Sequence, residues 1–139
     1  MSDSYTPARY WDSRYLSGGD SGAGSRGEIG CTKALFVNDV IRRHGIRSMI
    51  DWGCGDGQVL KHISTGVDYL GVDVSRVVLE RMRALFPERV FCSPRGAIGA
   101  SADLALSMDV LLHLPDDTDY TDYLTSLFAS AERMVLIYA

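Results

Sequence analysis

Five short apolar runs, with helix-like segments between them, constrain what this chain can fold into more than any other feature. They lie at residues 48–52 (SMIDW), 69–74 (YLGVDV), 89–92 (RVFC), 104–108 (LALSM) and 134–138 (MVLIY). They are largely continuous rather than alternating, as strands buried on both faces are. Ahead of the first run, Phe36, Val37, Val40, Ile41 and His44 share a helical face, and Gly45 stands where a left-handed glycine closes helices. The spacing predicts a further helix opening at Gln58 and running to Ile63. Ser75 is placed to cap another, with Val78, Met82, Leu85 and Phe86 on its apolar side and Pro87 beyond its end. Tyr120, Tyr123, Leu124, Leu127, Phe128 and Ala131 recur with helical period and form the clearest amphipathic stripe, expected to be core. Strands alternating with helices give a parallel sheet covered on both faces. The fold class is α/β.

A chain of 139 residues suits one domain. Its 46% hydrophobic and 23% charged residues are globular values, which exclude fibrous and disordered classes. The formal net charge is −4 and only Lys33 and Lys61 are lysines. A dedicated nucleic-acid binder needs clustered cations, so no nucleic-acid partner is expected. No apolar run approaches the ~18 residues of a membrane span, and the polar start lacks the apolar core of a secretory signal. Cys31, Cys54 and Cys92 are too scattered for a disulfide framework or a zinc pattern, which points to a reduced, cytoplasmic protein. His44, His62 and His113 are equally dispersed, and no metal site is expected.

Residues 1–30 read as a separate segment ahead of the domain at 31–139. Residues 1–9 are polar and expected to be loose. An aromatic cluster, YWDSRY, spans residues 10–15, and six glycines occur among residues 18–30. So many glycines are expected to prevent regular structure. A flexible linker is one reading of such a stretch; with aromatic side chains on one flank, the favoured expectation is a lid that orders over a ligand.

Chemistry concentrates at Asp51-Trp52-Gly53-Cys54-Gly55-Asp56-Gly57-Gln58, between the first strand and the helix expected after it. Glycines there allow a sharp turn and close approach of a ligand, and ligands of open α/β sheets bind at the carboxyl ends of the strands. Asp73 ends the next strand, where a carboxylate can accept hydrogen bonds from ribose hydroxyls. A nicotinamide dinucleotide is disfavoured: Gln58 occupies the position of the third fingerprint glycine, and Asp51 would repel a pyrophosphate. An acid ahead of alternate glycines suits a cationic nucleoside instead. S-adenosyl-L-methionine, with an ammonium, a sulfonium and a ribose but no phosphate, fits that description.

At SMIDWGCGDGQ, YLGVDVS and DLALSMDVLLHL the sequence resembles the class I S-adenosylmethionine-dependent methyltransferases. The opening YWDSRY…GGDSGAGSRGE is similar to the start of small bacterial members associated with glycan or secondary-metabolite pathways. The resemblance implies a Rossmann-like sheet of strand order 3-2-1-4-5 and methyl transfer to a small-molecule acceptor, such as a sugar. It implies that Asp51, Gly53, Cys54 and Gly55 border the methionine moiety and ribose. Asp73 would bind the ribose, Val74 would pack on adenine, and Ser107 and Met108 would lie beside the sulfonium. Trp11 would belong to the lid, with Arg14 a partner for the cofactor carboxylate. The acid often found after the third strand for adenine recognition has no counterpart in FCSPRGAIGAS.

Asp109 and His113, after the fourth strand, are the candidates for a catalytic base. A structural role for His113 at a helix start is an equal alternative, and Asp116 and Asp117 are expected to start the last helix. Cys54 reads as a small residue filling the turn rather than a nucleophile. Members of the family commonly carry seven strands, whereas this chain reaches only the fifth. That strand would be an unpaired apolar edge, so either the chain is a truncated form of a longer enzyme or the edge pairs with another copy in a homodimer. A cofactor-binding module without efficient catalysis is the second functional expectation, and a nicotinamide oxidoreductase the remote third.

Overall fold

The computed structural model describes residues 5–139. In chain order the elements are α1 (Pro7–Leu16), α2 (Gly27–His44), β1 (Ser48–Trp52), β2 (Asp68–Val72), α3 (Arg76–Leu85), β3 (Val90–Cys92), β4 (Ala102–Met108), α4 (Asp117–Ala129) and β5 (Ala131–Tyr138). The strands form one parallel sheet of order β3-β2-β1-β4-β5. β1 is central, with Ile50 level with Leu70 on one side and Ala105 on the other. This is the expected Rossmann-like arrangement.

The two faces are covered unequally. Val37 and Ile41 of α2, with Val78, Leu79 and Met82 of α3, pack on Met49, Leu104 and Leu106. The opposite face is held by α4, whose Leu127 is fully buried against a cluster containing Ile50, Trp52, Val72 and Ala105. Ser75 caps α3 as expected, its hydroxyl accepting from the Val78 N–H. Asp116 caps α4, accepting from the Thr118 and Asp119 amides.

Several expectations are corrected. The N-terminal segment is not loose from residue 7: Thr6 caps α1 and Pro7 opens it, where a missing N–H costs nothing. The remainder of the loose stretch, residues 1–4, lies outside the described residues. The glycine-rich stretch holds regular structure, because α2 begins at Gly27 and includes Gly30. A Cβ on Gly30 would lie 2.2 Å from the Ser25 carbonyl oxygen. Close packing of loop on helix therefore requires glycine there and overrides its weak helix propensity.

The helix expected from Gln58 to Ile63 is only a 3₁₀ turn at Leu60–His62. Leu60 and Ile63 are buried, so two anchors hold a segment too short for a stable α-helix. The α4 stripe is only partly core. Tyr120 and Phe128 are exposed, and Ala131 belongs to β5. On that face the connection after β3 is a single 3₁₀ turn, Pro94–Ala97, which offers the helix little to pack against. Phe36 and Leu85, placed on buried faces by their spacing, are exposed as well.

Candidate active site

The turn after β1 is hooked onto β2, with the Gly53 and Cys54 amides both donating to the Val72 carbonyl, at 2.7 and 3.0 Å. Gly53 and Gly55 have left-handed backbones, with φ of 77° and 60°. Their glycine requirement has a second source besides ligand access. A Cβ at Gly53 would meet Val110 at 2.3 Å, and one at Gly55 would meet the Ser21 hydroxyl at 2.5 Å. The N-terminal loop and the β4 loop thus rest directly on the turn.

Two buried carboxylates flank it. Asp73 Oδ2 accepts from the Gly55 amide at 3.0 Å and Oδ1 from the Ser75 amide at 2.9 Å. Burial holds this carboxyl above its usual range, although those amides favour its ionised form. Asp51 Oδ2 accepts from the Tyr69 hydroxyl at 2.7 Å. Burial pushes Asp51 up to about 6 against the Tyr69 hydrogen bond, and the neighbouring Asp73 charge adds to the rise. Burial likewise pushes the Cys54 thiol up, as suits a packing residue rather than a nucleophile.

A cavity of about 390 Å³ opens between this turn, the carboxyl ends of β2 and β4, α4 and the N-terminal segment. That volume is in the range of small-molecule sites. Asp51, Gly53, Cys54 and Gly55 line it, as do Asp73 and Val74. Trp11, Met108, Asp109 and His113 line it from the α1 and β4 sides. Among the described residues lining it are six aspartates and no lysine or arginine. Asp56, one of the six, has a buried Oδ1 with no hydrogen-bond partner among the described residues.

Two expected site residues stand outside. Arg14 donates from Nε to the Asp20 carbonyl at 2.6 Å and pairs with the Asp20 carboxylate at 3.6 Å, so it braces the loop instead of facing the cavity. Ser107 is fully buried behind the wall, where the Tyr123 hydroxyl lies 2.7 Å from its own hydroxyl and 3.1 Å from the Trp52 carbonyl. Asp109 has a left-handed backbone (φ 57°) and an ion pair with Lys33. His113 presents its ring edge-on to Trp11, with centroids 5.2 Å apart.

The N-terminal segment is fastened by contacts that the sequence pattern does not announce. Asp12 Oδ1 accepts from the Ser75 hydroxyl at 2.6 Å and the Val77 amide at 3.2 Å, at the start of α3. Arg81 donates to the Tyr15 carbonyl at 2.6 Å. The Tyr15 hydroxyl lies 3.0 Å from the Ser21 hydroxyl. Ser21 and Asp56 bond reciprocally, amide to side chain, at 3.1 and 3.0 Å. Tyr69 and Tyr123 were missed too, since nothing near them in the sequence marks them as neighbours of the turn. Ser21 carried one signal, its place in a glycine-rich run beside an aromatic cluster.

Residues 50–135 match the family described as "Methyltransferase domain". Among curated proteins none matches significantly. Among solved structures, CcbJ methyltransferase from Streptomyces caelestis superposes with a TM-score of 0.74 at 18% identity, covering 96% of this chain and 58% of that one. DesVI from Streptomyces venezuelae gives 0.68 at 21% identity, over 96% and 57%. CalS10 from Micromonospora echinaspora, an amino pentose methyltransferase solved with bound SAM, gives 0.65 at 18% identity, over 94% and 54%. At these identities the likeness is one of fold, and the chain spans little more than half the length of each.

Proposed function

The chain belongs to the methyltransferase-domain family, and on that premise we propose that it binds S-adenosyl-L-methionine in this cavity and methylates a small-molecule acceptor. The observation that carries the proposal is the pair of buried carboxylates, Asp51 and Asp73, on either side of the glycine turn. Both are held above their usual ionisation range, and among the described residues of the cavity wall there is no lysine or arginine. Such a site lacks a cation, which a sulfonium and an ammonium would supply and a pyrophosphate would not.

When bound, the cofactor supplies an electrophilic methyl group on a positively charged sulfur. The residues bind and orient. Asp73 accepts from the ribose hydroxyls with the lone pairs its backbone donors leave free, and Val74 packs on adenine. Asp51 and the turn at Gly53, Cys54 and Gly55 border the methionine moiety, and the orphan oxygen of Asp56 offers its ammonium a further partner. Because Arg14 is engaged with Asp20, we assign the cofactor carboxylate instead to the Tyr15 and Ser21 hydroxyls on the cavity wall. Met108 lies beside the sulfonium, and Asp109 or His113 receives the proton the acceptor loses. Trp11 and the docked lid exclude water and align the acceptor, the main source of acceleration in a direct displacement.

A sugar or related metabolite is the acceptor class we favour. CalS10, of the same fold, is an amino pentose methyltransferase, and a net charge of −4 disfavours nucleic acid. Among the described residues no helix is long and apolar enough to cross a membrane. We place the protein in the cytoplasm on its scattered cysteines. Incubation with methyl-labelled S-adenosylmethionine and separate pools of small metabolites, RNA and protein tests the reading. Label in the metabolite pool is expected; label confined to RNA or protein would overturn it. Cofactor binding without transfer to any pool would instead support a binding module.

A further inference from the structure

Lys33 has no part in the site described above, yet it stands directly behind it. It is only 6% exposed, on the face of α2 that packs against the sheet. Its Nζ donates to the Gly24 carbonyl at 2.6 Å and to Asp109 Oδ2 in an ion pair, and lies 4.4 Å from the centre of the Tyr138 ring. Asp109 lines the cavity and is fixed by its own backbone, whose N–H donates to the Tyr138 carbonyl at 2.8 Å. A Cβ on Gly24 would come within 3.4 Å of both charged groups, so the N-terminal loop closes directly over the pair.

An ion pair with one buried and one partly exposed partner is a poor device for stability, because desolvating the lysine offsets much of the attraction. Its position gives it another use. Asp109 comes directly after Met108, the residue placed beside the sulfonium. An unpaired carboxylate there would be a strong counter-charge to the positive sulfur. In the transfer, the bond from the acceptor nucleophile to the methyl carbon forms while the carbon–sulfur bond breaks. Sulfur keeps that electron pair and becomes neutral. Attraction to the cationic reactant is thus lost on the way to product, and binding the reactant more tightly than the transition state slows the step.

We propose that Lys33, by neutralising Asp109, sets the discrimination of the site between the sulfonium cofactor and its neutral thioether product. Lys33 is on this account a specificity-determining residue that never touches the ligand. The inference rests on the proposed cofactor and is tested by binding alone, with no acceptor required. Affinities for S-adenosylmethionine and S-adenosylhomocysteine are measured by calorimetry for the unaltered chain, Lys33→Met, Asp109→Asn and Lys33→Arg. Lys33→Met should raise the ratio of sulfonium to thioether affinity at least about fivefold, and Asp109→Asn should lower it comparably, as expected for a unit charge at partly shielded depth. Lys33→Arg, which keeps the charge, should leave the ratio near its original value. Ratios unchanged in Lys33→Met and Asp109→Asn, including equal losses for both ligands, would mark the pair as structural and overturn the proposal. If Lys33→Met fails to fold, Asp109→Asn decides alone. Binding of neither ligand by the unaltered chain would instead overturn the cofactor reading itself, and this inference with it.

Discussion

At the scale of single residues, Asp51 is the group whose behaviour is most exposed to test. Its carboxyl rises from 3.8 to about 6 on burial beside Asp73. A carboxyl raised on folding contributes stability below its unfolded value, and that contribution is lost as pH climbs through the folded one. The free protein should therefore lose about 3 kcal/mol from this group between roughly pH 4 and 6. Asp51→Asn should remove this pH dependence from chemical-denaturation curves. A cationic ligand acts in the opposite direction, since it binds the ionised form. Affinity for S-adenosylmethionine should rise from pH 5 to 7 and flatten above the Asp51 transition, a rise that Asp51→Asn abolishes. Asp73→Ala should weaken binding by about 1.5–3 kcal/mol, the worth of charge-assisted hydrogen bonds; unchanged affinity in calorimetry would remove Asp73 from the ribose. Both acids were legible in the sequence because they stand at strand ends beside a glycine turn, a relation carried by local chain order. Lys33 reaches Asp109 across 76 residues and Ser21 reaches Asp56 across 35, so tertiary packing alone reveals them. Arg14 was misplaced for the converse reason, captured by Asp20 only six residues away.

At the scale of elements, the N-terminal segment, proposed above as a lid, depends on α1 being clasped to α3. Asp12 supplies the clasp by accepting hydrogen bonds at the α3 N-terminus, where an acid also complements the helix dipole. Asp12→Ala should cost about 1 kcal/mol, as loss of a helix-capping side chain does. It should also speed tryptic cleavage after Arg14 and Arg26 while the sheet persists by circular dichroism; unaltered cleavage would show that the lid is held elsewhere. The strands were readable because parallel strands covered on both faces are nearly continuous apolar runs. α1 was not, because its composition is polar and its anchoring is tertiary. The segment after the glycine turn misled in the other direction: Leu60 and Ile63 carry helical spacing, yet two buried anchors suffice to hold a 3₁₀ turn.

At the scale of the whole molecule, the sheet ends on β5, an edge of eight residues in which Ile137 and Tyr138 are 38% and 52% exposed. Phe128, Val135 and Ile137 also border a shallow groove beside it. Among the described residues no strand pairs with the outer side of β5. Because unpaired apolar edges recruit other strands, we propose that these 139 residues on their own self-associate through Val135–Tyr138 at tens of micromolar, which a clean monomer in sedimentation would defeat. Strand order and the ligand-binding end of the sheet were inferred from the alternation of elements together with the family resemblance. The depth of the cavity and the absence of lysine and arginine among its described lining residues needed the fold, because its wall is gathered from widely separated stretches of chain. The central claim is that this wall holds S-adenosylmethionine. Calorimetric titration with S-adenosylmethionine and S-adenosylhomocysteine, with NADH as the control, tests it most directly. Micromolar binding of the first two and none of NADH is the expected result; binding of NADH, or of none of the three, would contradict it.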